Sequence, residues 1–181
     1  MAIPPERKLT YEDYVHFPET ERWEVVDGEA FVVAAPNTRH QIILVELNRQ
    51  VANYIKEHSG GRVLVAPFDV VLSNHDVVQP DLVFIADEDM DVLTDKNAWG
   101  SPTWLVEVLS DPFRDRNLKL QRYERFGVSE YWIVDPSNDR VEVYRLEGGV
   151  YGAPTTHEAP ECLSPLRPAG LSVDLTELFG A

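Results

Sequence analysis

The sequence predicts an α/β (α+β) fold in which a buried β-sheet is flanked by helices. Three short, continuous apolar runs, each bounded by turn residues, are typical of strands that are buried on both faces. These runs are residues 82–85, 104–109 and 131–134. A helix predicted from about Asp115 to Phe126, and ended by Gly127, separates the last two runs. That spacing is typical of a strand–helix–strand crossover.

The N-terminal part predicts a short helix and a hairpin. Thr10 and Asp13 form a capping-box pattern, so a helix is expected from Thr10 through Phe17, with Pro18 ending it. Asp27-Gly28 is a favoured two-residue turn between β-rich segments. We therefore expect an N-terminal β-hairpin with strands at residues 22–26 and 29–33.

A long helix is predicted next, with Asn37 as its cap and its end near His58, before two glycines. His40 falls on the apolar stripe of this helix, so we expect its side chain to point inward. It is either a site residue or a buried histidine with satisfied hydrogen bonds. The remaining expected elements are a weaker strand at 62–73, a strand with one wet face at 141–145, and a short strand or helix near 171–179.

The chain of 181 residues has the length of one domain, and we expect residues 1–181 to form it. Apolar residues make up 44% of the sequence, enough for a core. No run approaches the roughly 18 apolar residues of a membrane helix, and residues 1–9 lack the apolar segment of a signal peptide. Cys162 is the single cysteine, which excludes an internal disulfide and favours a reducing, cytoplasmic setting.

The net charge of −15 counts against a protein that binds nucleic acid through its overall field. Five of the sixteen lysines and arginines nevertheless fall within a short stretch. They are Arg114, Arg116, Lys119, Arg122 and Arg125. This stretch is either a basic strip on an acidic body or a solvated helix face, and spacing alone favours the solvated face.

Two acidic residues stand next to buried strands. Glu107 lies inside an apolar run, where a carboxylate is costly unless it is paired or bound to a metal. Asp81 follows Pro80 at the entrance to another run. Two carboxylates on neighbouring strands repel each other, so a shared divalent cation would resolve the repulsion. The alternatives are a Glu107–arginine pair and, for Asp81, an ordinary Pro-Asp turn.

Lys119 occupies the middle of an apolar helical stripe, where a charge is unexpected. The stripe also contains Tyr123 and Phe126. Lys119 is either a site residue or a lysine that reaches solvent or pairs with Asp115, one turn earlier.

Four motifs, in this order, resemble the Uma-two family of endonucleases. They are Gln79-Pro-Asp-Leu-Val83, Leu105-Val-Glu-Val-Leu-Ser110, Asp115-xxx-Lys119-xxx-Tyr123 and Gly127-Val-Ser-Glu-Tyr-Trp-Ile-Val-Asp135. Upstream, Trp23-Glu-Val-Val-Asp-Gly-Glu29 and Pro36-xxx-His40 look like the opening pattern of the same family. The resemblance spans about residues 9–146. It implies the restriction-endonuclease-like fold of the PD-(D/E)xK superfamily, with a mixed sheet, flanking helices and an acidic site on the central strands.

The resemblance also implies a site. Asp81 and Glu107 would hold magnesium, or manganese, together with the backbone carbonyl of Val108. The superfamily pattern has a lysine two residues after the glutamate, where this chain has Leu109. Lys119 is the expected substitute for that amine. Three further residues are candidates of second rank: His40, Glu24 and Asp69. The alternative for Glu24 is a simple pair with an arginine. The expected DNA contacts are Arg114, Arg116 and Arg122.

The leading functional hypothesis is a metal-dependent endonuclease that hydrolyses phosphodiester bonds of DNA, with a homodimer expected by analogy. The alternative is a catalytically inactive nucleic-acid-binding or protein-interaction module that retains the nuclease fold. The missing lysine at Leu109 and the net negative charge favour this alternative. A metal-dependent hydrolase of another phosphoester is a third possibility, because a fold alone does not decide function.

Overall fold

The computed structural model of the protein describes residues 7–181. Most of its elements are strands, with one long helix and several short ones. In chain order they are α1 (Tyr11–Tyr14), β1 (Arg22–Val26), β2 (Glu29–Val33), α2 (Thr38–His58), β3 (Gly61–Val65), β4 (Val70–Ser73), β5 (Asp76–Val78), β6 (Leu82–Ala86), a 3₁₀ helix (Asp87–Val92), β7 (Ala98–Trp99), β8 (Trp104–Val108), a π-helical segment (Arg114–Lys119), α3 (Leu120–Arg125), β9 (Glu130–Asp135), β10 (Arg140–Glu147), β11 (Val150–Tyr151), β12 (Thr155–Glu158), β13 (Cys162–Leu163), β14 (Val173–Asp174) and α4 (Leu175–Gly180).

The strands form a seven-stranded sheet and a five-stranded sheet. The larger has the order β11-β10-β9-β8-β6-β3, with β12 paired to β10. The smaller has the order β2-β1-β5-β4-β7, and β13 pairs with β14 separately. In the larger sheet β8 runs parallel to β9 and antiparallel to β6. The sheet is therefore mixed, and the π-helical segment with α3 makes the predicted crossover between β8 and β9.

The local signals in the sequence produce the elements they predict. Asp27 and Gly28 have φ angles of 53° and 80° at the β1–β2 turn, which is the backbone that an Asp-Gly hairpin turn requires. The Asn37 side chain accepts a hydrogen bond from the His40 N–H and caps α2. Thr10 and Asp13 form the expected capping box on α1. These elements confirm the predicted mixed α/β fold with an N-terminal hairpin.

Three details differ from the sequence-based expectation. Residues 62–73 form two strands in different sheets, β3 and β4, because the chain breaks around Pro67, which has no N–H for a ladder. The helix after β8 begins with a π-helical segment rather than a regular α-turn. The tail forms both a strand, β14, and a helix, α4, where only one of the two was expected.

The central strands of the larger sheet are buried on both faces, as their continuous apolar runs predicted. One face packs against α2 and α4 through a cluster that includes Leu47, Phe84, Trp104 and Trp132. The other packs against α3 and residues of the smaller sheet, through Val83, Leu105 and other residues. Any charged group on β6 or β8 is therefore desolvated unless it lies at a strand end or faces a cavity.

Two further findings bear on the sequence-based expectations. Within residues 7–181, no helix is long and apolar enough to cross a membrane. The predicted absence of a signal peptide concerns residues 1–9, of which the first six lie outside the described residues.

Candidate active site

Asp81 and Glu107 meet where β6 begins and β8 ends. The register pairs Leu82 with Val106, so one further step places Asp81 opposite Glu107. The Leu109 N–H bonds to Val134 on β9, and alternation along the strand turns the Glu107 N–H the same way. Asp81 and Glu107 therefore occupy a non-hydrogen-bonded pair, the position at which opposite side chains lie closest.

Asp81 is held through one of its two carboxylate oxygens. Oδ2 accepts a 2.8 Å hydrogen bond from the Val108 N–H and lies 3.0 Å from His40 Nε2. An ionised carboxylate only accepts, so the proton of this second bond is on His40 Nε2. In the described residues, Asp81 Oδ1 has no hydrogen-bond partner. The side chain therefore keeps one oxygen free while the other fixes its orientation.

Glu107 is held in a similar way by groups from the crossover helix. Its Oε1 accepts hydrogen bonds from Lys119 Nζ at 2.8 Å and from the Tyr123 hydroxyl at 3.0 Å. No described residue bonds to Oε2. Both carboxylates thus present one oxygen without a protein partner.

Lys119 joins the two sheets at this point. Its ammonium lies 2.8 Å from Glu107, 2.8 Å from Glu24 on β1, and 3.8 Å from Asp115. An amine that replaces the missing lysine is expected to reach both Asp81 and Glu107, but Lys119 pairs with Glu107 and not with Asp81. Lys119 is the last residue of the π-helical segment, and π-helical turns are frequent at functional sites.

Burial controls the protonation of this cluster. Burial raises the pKa of Glu107 well above its ordinary value, although Lys119 opposes the shift. Burial also raises the pKa of Asp115. Burial alone would lower the pKa of Lys119, but the charges of Glu107, Glu24 and Asp115 outweigh it and keep the pKa above its ordinary value. Lys119 therefore stays charged, while burial favours the protonated forms of Glu107 and Asp115.

These groups line a cavity of about 280 Å³. Its wall contains more acids than bases. The acids are Glu24, Asp81, Glu107, Asp111 and Asp115, and the bases are Arg22, Arg114 and Lys119, with His40 beside them. If all are ionised and His40 is neutral, the wall carries two surplus negative charges. In residues 7–181, however, no three His, Cys, Asp or Glu side chains are grouped closely enough to hold a metal by themselves.

The structure divides the second-rank residues. His40 and Glu24 line the cavity. Asp69 lies outside it, where its Oδ1 accepts hydrogen bonds from the Tyr14 hydroxyl and from Gln79.

The Val108 N–H donates a hydrogen bond to Asp81, while the strand register puts Pro80 opposite the Val108 carbonyl. Proline has no N–H to donate, so this carbonyl has no partner in the ladder.

The three arginines predicted to contact DNA lie in different places and have different partners. Arg114 lines the cavity and lies 3.6 Å from Glu24. Arg116 instead pairs with Glu142 at 2.8 Å and with Asp135, and Arg122 pairs with Asp27 and Asp76 on the hairpin side. The structure therefore brings only Arg114 of the three to the cavity.

Sequence reasoning missed two site residues. Arg22 and Gln79 both line the cavity, and Arg22 Nε donates to Gln79 Oε1 at 2.9 Å. Arg22 has no local signal, because it is an ordinary polar residue at the start of a strand, whereas Gln79 belongs to the Gln79-Pro-Asp-Leu-Val83 motif, in which only Asp81 was given a role. The contact of Tyr123 with Glu107 could have been found, since Tyr123 follows Lys119 by four residues on the same helical face.

Comparison with known proteins identifies the fold and the family of the chain. The crystal structure of "a putative nuclease belonging to DUF820 from Anabaena variabilis ATCC 29413" is similar, with a TM-score of 0.78 and 19% sequence identity over 95% of this chain and 98% of that chain. At that identity the likeness shows the fold. No protein of curated function matches this chain in sequence. Residues 10–176 match the Uma2 family model, described as "Putative restriction endonuclease", and the chain therefore belongs to the Uma2 family.

Proposed function

We propose that the protein is a magnesium-dependent endonuclease that hydrolyses phosphodiester bonds of DNA. One observation carries the proposal: Asp81 and Glu107 face each other at a cavity, each with one oxygen free of protein partners. The family, described as "Putative restriction endonuclease", and the similar crystal structure, described as a "putative nuclease", support hydrolysis of nucleic acid. DNA is the substrate that the family description favours.

The residues present fit a hard divalent cation. Asp81 Oδ1, Glu107 Oε2 and the Val108 carbonyl are all oxygen donors, which magnesium prefers. Magnesium usually keeps several waters and needs only one or two carboxylates from the protein, so a cluster of three acidic side chains is not required. The excess of acids over bases in the cavity wall also favours a cation. When bound, it would supply a water of lowered pKa and offset charge on the phosphate.

The chain's own groups prepare this site. His40 and the Val108 N–H hold Asp81 Oδ2, so the other oxygen keeps a fixed direction. Lys119 and Tyr123 hold Glu107 Oε1 in the same manner. Lys119 is also in a position to orient the attacking water or to offset charge that builds on the phosphate. Arg114, at the cavity wall, would contact the phosphate backbone.

A second function is favoured by one observation. Lys119 pairs with both Glu24 and Glu107, so part of the carboxylate charge is already balanced inside the protein. A structural ion-pair network of this kind suits a nucleic-acid-binding module that has the nuclease fold and no activity. Such a module would need no metal.

A cleavage screen tests the proposal. The full chain is incubated with single-stranded, double-stranded and branched DNA, and with the matching RNA, in magnesium, manganese or EDTA. We expect internal cleavage of DNA that requires metal and is absent in Glu107→Gln. Absence of cleavage under all conditions, together with DNA binding that is insensitive to EDTA, would replace this proposal with the binding module.

A further inference from the structure

Arg22 is a partly buried cation without a carboxylate partner. Its Nε donates to Gln79, but in the described residues its two Nη atoms make neither a hydrogen bond nor an ion pair. The other unpaired lysines and arginines of residues 7–181 are exposed to solvent. In a protein of net charge −15, a guanidinium that is oriented but not neutralised is suited to an anionic ligand.

Arg22 also stands where three cavities meet. It lines the Asp81–Glu107 cavity, a neighbouring cavity beside α2 that also contains Asp81, and a third, of about 300 Å³, next to α1. An anion on Arg22 would therefore lie beside the two candidate metal ligands. Phosphate has the charge and the paired oxygens that a guanidinium binds in two-pronged fashion.

The third cavity has aromatic walls. Tyr14, Phe17 and Trp23 line it, with ring centroids 5.9 Å apart for Tyr14 and Phe17 and 5.1 Å apart for Phe17 and Trp23. Bases of single-stranded nucleic acid stack on such side chains, whatever their sequence. We call this third cavity the aromatic cleft.

Charge decides which part of a nucleotide the aromatic cleft can take. Glu19, Glu21 and Asp69 line it together with Arg22. These three carboxylates repel a phosphate inside the cleft but do not repel a neutral base.

We propose that Arg22 and the aromatic cleft bind one unpaired nucleotide of the substrate, with its phosphate on Arg22 and its base in the cleft. The inference rests on the proposed function, and it names the substrate class: nucleic acid with an unpaired base beside the cleaved phosphodiester. A base inside a duplex cannot enter the cleft without being unstacked and unpaired, which costs free energy. Single strands and single-stranded flaps therefore bind more tightly than blunt duplexes.

Binding is measured by fluorescence anisotropy with the Glu107→Gln chain, so that cleavage plays no part. The probes are fluorescein-labelled strands of ten deoxyadenosines, a strand of ten abasic residues with the same phosphates, and a blunt ten-base-pair duplex. Loss of base stacking should weaken binding of the abasic strand by about tenfold. Equal affinity for the two strands, or tighter binding of the duplex, would overturn the base-binding assignment without any further variant.

Two substitutions in this background separate the two halves of the site. Arg22→Gln should weaken both single strands by about tenfold, because a charge-assisted bond to phosphate is lost. Phe17→Ala should weaken the deoxyadenosine strand alone and make the two strands equivalent. Arg62→Gln is the matched control, because Arg62 is exposed, unpaired in the described residues and outside all three cavities. If Arg22→Gln affects binding no more than Arg62→Gln does, Arg22 is not the phosphate anchor.

The test is independent of catalysis. Base-dependent binding that requires Arg22 and Phe17, together with a parent chain that cleaves no substrate in the cleavage screen, would sustain this inference and end the proposed function. Cleavage of duplex DNA with no preference for unpaired bases would sustain the proposed function and end this inference. The midpoint of thermal unfolding, measured for each variant, shows that lost binding does not reflect lost folding.

Discussion

Lys119 Nζ lies 2.8 Å from Glu24 Oε1, and this buried ion pair connects β1 of the smaller sheet to the crossover helix of the larger one. The same ammonium is 2.8 Å from Glu107 Oε1. One desolvated cation thus serves a structural partner and a candidate metal ligand. Removing it leaves Glu107 without a counter-charge and Glu24 with only the more distant Arg114, 3.6 Å away, which is costly.

Lys119→Met separates these two roles. Breaking a buried ion pair from one side costs about 3–5 kcal/mol, so we expect the free energy of unfolding at neutral pH to fall by that order. DNA cleavage should fall to near the background rate, while metal binding remains, because a lysine is not a ligand. Denaturant unfolding and calorimetric metal titration make the measurements.

The matched control is Lys119→Met combined with Glu24→Gln. This double variant has one unpaired carboxylate fewer, so much of the lost stability should return, but activity should not. Recovery of cleavage together with stability would mean that Lys119 acts only through the fold. Unchanged stability in Lys119→Met would contradict the ion-pair network itself.

The same residues show what a sequence can and cannot predict. The hairpin at Asp27-Gly28 and the Asn37 cap depend on neighbours in the chain, so local rules predicted both. Glu107 was recognisable because a carboxylate inside an apolar run is costly. The Lys119–Glu24 pair joins residues 95 positions apart, and β4, β5 and β7 form a sheet through pairings for which the sequence has no local signal.

Glu107→Gln should abolish cleavage and any metal-induced rise in the melting temperature. Burial raises the pKa of Glu107 well above its ordinary value although Lys119 and Tyr123 donate to it, so its ionised form is less favourable in the folded protein than in the unfolded chain. Glutamine removes that buried charge. The unfolding free energy of the metal-free protein at neutral pH should therefore stay the same or rise. Thermal unfolding with magnesium or EDTA tests both points, and an active Glu107→Gln chain would end the assignment.

Asp115 gives a pH-dependent prediction. Burial raises the pKa of its carboxyl in the folded state, so the folded protein binds this proton more tightly than the unfolded chain. The resulting stabilisation is complete below the unfolded pKa of about 3.9 and is lost as pH rises through the folded pKa. Asparagine has no carboxyl to ionise, so Asp115→Asn does not lose this stability as pH rises. The unfolding free energy of Asp115→Asn minus that of the parent should therefore increase as pH rises from about 4, in EDTA, and a constant difference would contradict the pKa shift.

Tyr123→Phe tests whether Glu107 must be held in one orientation. The variant removes a 3.0 Å hydrogen bond to Oε1 and leaves Lys119 in place. We expect kcat to fall about tenfold, corresponding to roughly 1.4 kcal/mol. Tyr151→Phe is the control, because the Tyr151 hydroxyl donates to the Val128 carbonyl at 2.7 Å and lies outside the cavity. It should cost similar stability and leave kcat unchanged; equal kcat losses in both variants would mean that only stability matters.

Neutralising one arginine at a time distinguishes the arginines that contact DNA from those that do not. Arg116 is paired with Glu142 and Asp135, so its charge is balanced within the protein and its loss should cost stability rather than DNA affinity. Arg114 also has carboxylate partners, Asp111 and Glu24, but unlike Arg116 it lines the cavity, where a phosphate contact would release counterions from the DNA. Arg114→Gln should therefore weaken DNA binding and reduce the slope of log affinity against log salt by about one. Arg116→Gln should leave that slope unchanged. Anisotropy titrations between low and physiological salt make the comparison. An equal change of slope in both variants would mean that both arginines contact DNA phosphates, as the basic-strip interpretation of this helix requires.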